Sequence, residues 1–265
     1  MQFDPGKYWE QRLNREFSLY GVGFLGLGRN FNHWMYKVRK RGFLRFAGSL
    51  GIEFSRSRVL DVGSGTGFYV EQWAKLGVKE LVGVDITQVA VENLSLRYPE
   101  YAFHRLDIGN RIHELEKASF DVVSAMDVLF HIVDDEKYAN ALRNIHGLLK
   151  PGGYFIWSEN FMKGEALRTR HQVCRSDSFI KNLLLDAGFK IIGQKPLFYL
   201  MNTPVTSRSR LLNVSWKLVA GMVKNSEILG LIVGALLYPL ESILTAAINQ
   251  GPSTDIMLCR RPLGI

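Results

Sequence analysis

The segment Val59-Leu-Asp-Val-Gly-Ser-Gly-Thr-Gly-Phe-Tyr-Val70 constrains the fold more than any other part of the chain. A run rich in β-branched residues feeds directly into Gly63, Gly65 and Gly67, and a helical pattern resumes at Phe68. Glycines there let the backbone turn sharply and approach a ligand with no Cβ in the way. The helix start behind them offers free N–H groups to a polar or negatively charged group. Spacing separates the ligand classes that use such a loop. A dinucleotide fingerprint needs a small residue where Phe68 stands, and the Gly-Lys-Ser/Thr of a nucleotide-triphosphate loop is missing. The remaining pattern, Asp-x-Gly-x-Gly-x-Gly from Asp61, suits an amino-acid-like tail rather than a pyrophosphate.

Short apolar runs and helical patterns alternate on either side of this loop. Strands are expected over 59–62, 80–84, 101–104, 120–125 and 154–158, and helices over 68–75, 88–97 and 135–149, the last stopped by Lys150-Pro-Gly-Gly153. Alternation of this kind reads as a parallel sheet covered on both faces. Polar residues recur where the runs end: Asp85, Asp107, and the stretch from Met126 to His131. Open α/β sheets bind ligands at the carboxyl ends of their strands, so Asp85 is placed to accept both hydroxyls of a ribose and Asp107 an adenine amine.

The combination of Asp61-x-Gly63-x-Gly65-x-Gly67, Asp85, Asp107, Phe120–Asp127 and Leu148-Leu-Lys-Pro-Gly-Gly153 resembles the motif set of the class I S-adenosylmethionine-dependent methyltransferases, over about 59–193. The resemblance implies a Rossmann-like, mostly parallel seven-stranded sheet whose last strand, expected at 255–260, runs antiparallel. It implies S-adenosylmethionine as cofactor. Asp85 would hold the ribose, Ile86 would pack on the adenine, and Asp107 with the Ile108 backbone would meet its amino edge. The carbonyls of Gly63 and Met126 would take the ammonium of the methionine tail, with Asp61 supporting the loop. The N-terminal Lys7-Tyr-Trp-Glu-Gln-Arg12 resembles a lid segment, in which Tyr8 or Trp9 would cover the cofactor and Arg12 or Arg15 would meet its carboxylate; an amphipathic helix docked by its aromatics is the other reading.

The additions to this core are expected to set the substrate. They are a helical lid over 1–55 and a helical insertion over 201–252, between a core over 56–200 and a final strand over 253–265. The insertion reads as a substrate cap, a homodimer interface or a surface resting on a membrane. Its most apolar part, 228–240, is interrupted by Pro239 and is shorter than the roughly 20 residues of a membrane span. His131, just after the fourth strand, is the first candidate for a general base, and His171 the second. No His/Asp/Glu spacing suggests a metal site, and Asp134-Asp-Glu136 reads as a helix cap.

The net charge of +8 admits anionic substrates, nucleic acid or an acidic membrane, but the densest basic run, Lys37 to Arg41, reads as a solvated helix face. The expected acceptor is therefore a small, partly apolar metabolite, lipid-like or glycan-linked, with O-methylation favoured over C-methylation. An RNA methyltransferase and a non-catalytic cofactor-binding protein are the alternatives. Two distant cysteines and a polar, acidic N-terminal run fit a cytoplasmic protein, with peripheral membrane contact open.

Overall fold

The computed structural model describes residues 3–264. Seven strands form one sheet: β1 (Arg58–Val62), β2 (Glu80–Asp85), β3 (Ala102–Arg105), β4 (Phe120–Ala125), β5 (Leu149–Glu159), β6 (Lys190–Pro196) and β7 (Asp255–Arg260). Their order is β3-β2-β1-β4-β5-β7-β6, and β7 is antiparallel to both neighbours while the other pairings are parallel. The order reverses between β1 and β4. Connections from those two strands leave on opposite sides, which opens a crevice at their carboxyl ends.

The alternation of side chains across the pleat builds two cores. Val59, Leu81, Val122, Ile156 and Ile256 face a layer formed by α3 (Gly28–Gly48) and α4 (Phe68–Lys75). Leu60, Val82, Val123, Phe155 and Met257 face α6 (Asp135–Leu148) and α7 (Asp177–Asp186). The segment 1–55 is thus divided in its work. α1 (Pro5–Arg15) and the short α2 (Leu19–Val22) lie over the crevice; α3 is mainly part of the sheet packing, with Phe31, Met35 and Phe43 fully buried, and reaches the cavity through Tyr36. α5 (Gln88–Arg97) completes the shell beside β2 and β3. Polar caps start most of these helices: Asp4, Asp134 and Ser176 each accept the N–H three residues on.

Two expectations are corrected. The fifth strand does not begin at 154, after the Lys150-Pro-Gly-Gly153 stretch, but at Leu149. α6 stops at Leu148, and the four residues form an irregularity at the head of β5, between the pairs Phe120–Leu149 and Val122–Tyr154. Nor does Pro239 break the apolar insertion. That insertion is a helical hairpin, α8 (Arg210–Lys224) and α9 (Glu227–Ala247), and α9 runs unbroken through the proline. Pro239 and Ala235, whose carbonyl loses its partner, both lie on the exposed side of the helix, where the loss costs least.

α9 is held against α3 by close backbone approach and by Glu227, and against the segment after β6 by Glu241. A Cβ at Gly234 would fall 2.2 Å from Cδ1 of Trp34, so only glycine fits. Glu227 accepts the N–H groups of Arg29 and Asn30 at the start of α3. Glu241, fully buried, accepts those of Tyr199 at 2.7 Å and Leu200 at 2.6 Å. Removing that carboxylate leaves at least two buried donors unpaired, at roughly 1–3 kcal/mol each. Glu241→Ala should therefore lower the unfolding free energy by about 3 kcal/mol in urea titration, and Glu241→Gln, which keeps one acceptor, by about half as much.

Candidate active site

Beyond Val62 the backbone enters the left-handed region at Gly63 (φ 71°) and again at Gly65 (φ 51°). A Cβ at Gly63 would lie 2.3 Å from Cγ2 of Val128, so the loop is pressed against the segment after β4. The N–H groups of Gly63 and Ser64 both donate to the carbonyl of Val84, at 2.7 and 3.1 Å. Gly67 has a different role from the one expected. It does not line the cavity, and a Cβ there would meet Leu94 at 2.6 Å, so it packs the start of α4 against α5.

Asp85, at the tip of β2, is buried and ties the loop down. Its Oδ2 accepts the N–H of Gly65 at 2.9 Å, and its Oδ1 accepts both the N–H and the hydroxyl of Thr87. A carboxylate offers about four lone-pair positions. Three are taken within the chain, so Asp85 has one left for a sugar hydroxyl, rather than a pair as the strand-end argument suggested. Burial raises its proton affinity, and the three donors oppose that. Asp107 also lines the cavity, accepting from Gly109 N–H and from Lys137 Nζ at 3.2 Å, beside Ile108 and Ile86. Asp61 lies behind the loop. It is buried, bonded through Oδ1 to Ser124 at 2.6 Å, and burial pushes its carboxyl up to about 7.

These residues border a cavity of about 330 Å³, within the usual range for small-molecule sites. Trp9, Met126 and His131 are on its wall. Trp9 and His131 belong to a cluster of four rings, of which Tyr8 and His171 lie off the wall. Trp9 meets His131 edge-on at 4.8 Å, Tyr8 stacks on His171 at 5.5 Å, and the two histidines lie nearly parallel at 6.1 Å. His171 comes from the turn of a small hairpin, Leu167–Arg168 with Val173–Cys174, and is not on the cavity wall. His131 Nδ1 is 2.9 Å from the His171 carbonyl oxygen. A carbonyl only accepts, so Nδ1 carries the proton and Nε2 keeps its lone pair. Burial pulls His131 down to about 4, partly offset by that hydrogen bond, and also lowers His171.

Neither arginine of the lid lines the cavity. Arg15 is exposed and off the cavity wall, and Arg12 donates to the carbonyls of Gly21 and Gly23 and lies over the Trp9 ring. The lid is fastened by a residue that pattern reading passed over. Glu10 accepts the N–H groups of Gln88 and Val89, the free donors at the start of α5.

The basic run from Lys37 to Arg41 also differs from expectation. Arg39 is 12% exposed and pairs through Nε with Asp127 Oδ2 at 2.6 Å. Asp127 lines the cavity in a left-handed conformation (φ 60°) that Asp tolerates, fixed by a 2.7 Å bond from its N–H to Ser158. Asp127 is the second residue past β4, inside the polar strand-end stretch that the sequence points to, but its ion pair with Arg39 has no local signal.

A nucleoside bearing an amino-acid tail fits this chemistry. The cavity offers glycine backbone without Cβ atoms and carboxylates at two strand tips. Two buried wall hydroxyls, Thr66 Oγ1 and Tyr69 Oη, also have no partner within the described residues. A family model described as a methyltransferase domain matches residues 60–157. Residues 60–157 are a methyltransferase domain. Solved methyltransferases that share its fold hold S-adenosylmethionine or S-adenosylhomocysteine.

Among its relatives, a ubiquinone biosynthesis O-methyltransferase of Cereibacter sphaeroides is 35% identical over 42% of this chain and 44% of its own length. An mRNA cap guanine-N(7) methyltransferase of Caenorhabditis elegans is 26% identical over 56% of this chain and 44% of its own. The chain thus spans less than half the length of the curated relatives it matches. The fold is shared with the N-methyltransferase NodS of Bradyrhizobium japonicum in complex with S-adenosylhomocysteine: TM-score 0.56, 15% identity, 96% of this chain and 98% of that one.

Two outcomes are expected. Asp85→Ala should weaken S-adenosylhomocysteine binding in calorimetry by at least about tenfold, since it removes both the free lone pair and the tie to Gly65. The lid should also respond to acid. An exposed histidine titrates near 6.5 and docked His131 near 4, so protons bind the undocked form more tightly. Docking is then at full strength above pH 6.5 and is lost as pH falls toward 4. Hydrogen exchange over residues 5–15 should accelerate in that window, and His131→Phe, which keeps a ring against Trp9, should flatten the response.

Proposed function

We propose that the protein is a methyltransferase that methylates a hydroxyl of a small, partly apolar metabolite. The observation that carries the reading is the closed aromatic lid beside a histidine with a free lone pair. When bound, S-adenosylmethionine supplies a methyl group on an electrophilic sulfonium. The chain's own residues then have three tasks. The Gly63–Gly65 backbone and Asp85 orient the nucleoside. Tyr8 and Trp9 exclude water. His131 accepts the acceptor's hydroxyl proton at Nε2, for which its neutral state at pH 7 is the competent one.

A cavity of about 330 Å³ with a largely apolar wall favours a small acceptor over a polynucleotide. The one basic run that suggested a nucleic-acid face has its central arginine committed to Asp127. The likeness to ubiquinone biosynthesis O-methyltransferases supports hydroxyl chemistry, whereas the likeness to an mRNA cap methyltransferase supports RNA. Two buried free thiols, Cys174 and Cys259, support work in a reducing, cytoplasmic setting.

The test is transfer of labelled methyl from S-adenosylmethionine into fractions of a cell extract. Label should enter the solvent-extractable small molecules; label in RNA overturns the reading, and no label in any fraction despite normal cofactor binding supports a non-catalytic protein. His131→Ala should lower kcat about 100-fold or more while leaving S-adenosylhomocysteine affinity within about threefold. The acidic limb of kcat in the wild type should lie below the usual histidine range.

A further inference from the structure

The outer side of the α8–α9 hairpin is used neither by the core nor by the cavity. We propose that it seats the protein on an anionic lipid bilayer, with the hairpin lying at the headgroup level. On α8, Leu211 (78% exposed), Val214 and Leu218 (64%) recur at helical spacing on one side. On α9, Ile228 (71%), Leu236 (68%) and Ile243 are likewise exposed. Large apolar side chains standing together in water mark a surface with a partner.

The charges indicate which partner. Arg210, Lys217 and Lys224 are seven residues apart, which places them in one row along α8, beside the apolar stripe. All three are exposed, and none enters an ion pair among the described residues. The segment 201–252 contains two acidic residues, Glu227 and Glu241, and both are committed to backbone N–H groups. The hairpin therefore presents apolar side chains and cations with no free carboxylate. That is the composition of a helix that lies in the interface of an acidic membrane.

α9 is long and apolar enough to span a bilayer, with 21 residues and a mean hydropathy of 1.9 over an 18-residue window. It is nevertheless fastened to α3. Leaving it would expose Trp34, uncap Arg29 and Asn30, and strip Tyr199 and Leu200 of their acceptor. The folded protein lies on the membrane and does not cross it. The apolar surface also reaches the cavity. The turn Leu25–Leu27 packs on α8, Phe24 and Leu25 beside it are exposed, and Val22, two residues earlier, is on the cavity wall. A membrane-dissolved acceptor would reach the site along this path. That last step rests on the proposed function; the docking does not.

The test is flotation of the full chain with phosphatidylcholine vesicles, with and without about a third phosphatidylglycerol, at low and high salt. Anionic vesicles should bind at least about tenfold more tightly at low salt, with the preference lost at high salt, since each cation near the surface contributes roughly fivefold. Leu218→Glu with Leu236→Glu should reduce binding by about tenfold or more. Arg210→Gln with Lys217→Gln and Lys224→Gln should abolish the preference for anionic lipid. S-adenosylhomocysteine affinity, measured on the same samples, should be unchanged in all of them. This separates failed docking from misfolding and from failure of the cofactor reading. No vesicle binding, equal binding to neutral and anionic vesicles, or a stable dimer in light scattering that the leucine substitutions dissociate would each overturn the proposal.

Discussion

The bond from Gly65 N–H to Asp85 holds the site together. It joins the loop after β1 to the tip of β2, across two strands already paired through Leu60–Val82 and Val62–Val84. With the Val84 carbonyl taking the N–H groups of Gly63 and Ser64, the loop has almost no freedom left. A preorganised cradle spends little binding energy on ordering itself. The same carboxylate accepts from Thr87, where α5 begins, so the glycine loop, the tip of β2 and the neighbouring helix share one anchor.

The lid uses weaker forces in larger number. Glu10 caps α5, and Trp9 and Tyr8 meet two histidines from different loops. Each ring pair is worth about 0.5–1.5 kcal/mol beyond burial, so none dominates. A lid built this way can close over a ligand and open again, as a catalytic cycle requires. Burial of His131 couples closure to proton affinity: the ring that excludes water is also the one whose charge the closed state disfavours.

Much of this was legible in the sequence where the signal was local. β4, β7, α4 and α5 have the ranges their patterns suggest, because buried runs and periodic helices declare themselves within a few residues. Asp85 and Asp107 were found because strand ends are positions, and positions can be read from order. The remainder depended on long-range partners. Arg39 looks like a surface cation until Asp127, 88 residues away, is brought beside it. Glu10 is one acid on an amphipathic helix until α5 offers it two N–H groups. Arg12 and Arg15 are three residues apart on α1, and composition could not tell which faced inward. Gly67 shares its motif with Gly63 and Gly65, yet its neighbour is Leu94 rather than the cavity. Pro239 reads as a helix end, but tertiary anchoring by Glu227 and Glu241 carries α9 past it.

The central claim is that one cradle and one lid enclose the same nucleoside. Hydrogen–deuterium exchange with and without S-adenosylhomocysteine tests it most directly. Bound ligand should slow exchange together at residues 63–69, 85–89 and 5–15, with the α8–α9 hairpin unaffected. Protection at the glycine loop without the lid would contradict the shared enclosure, and no protection at either would contradict the site itself.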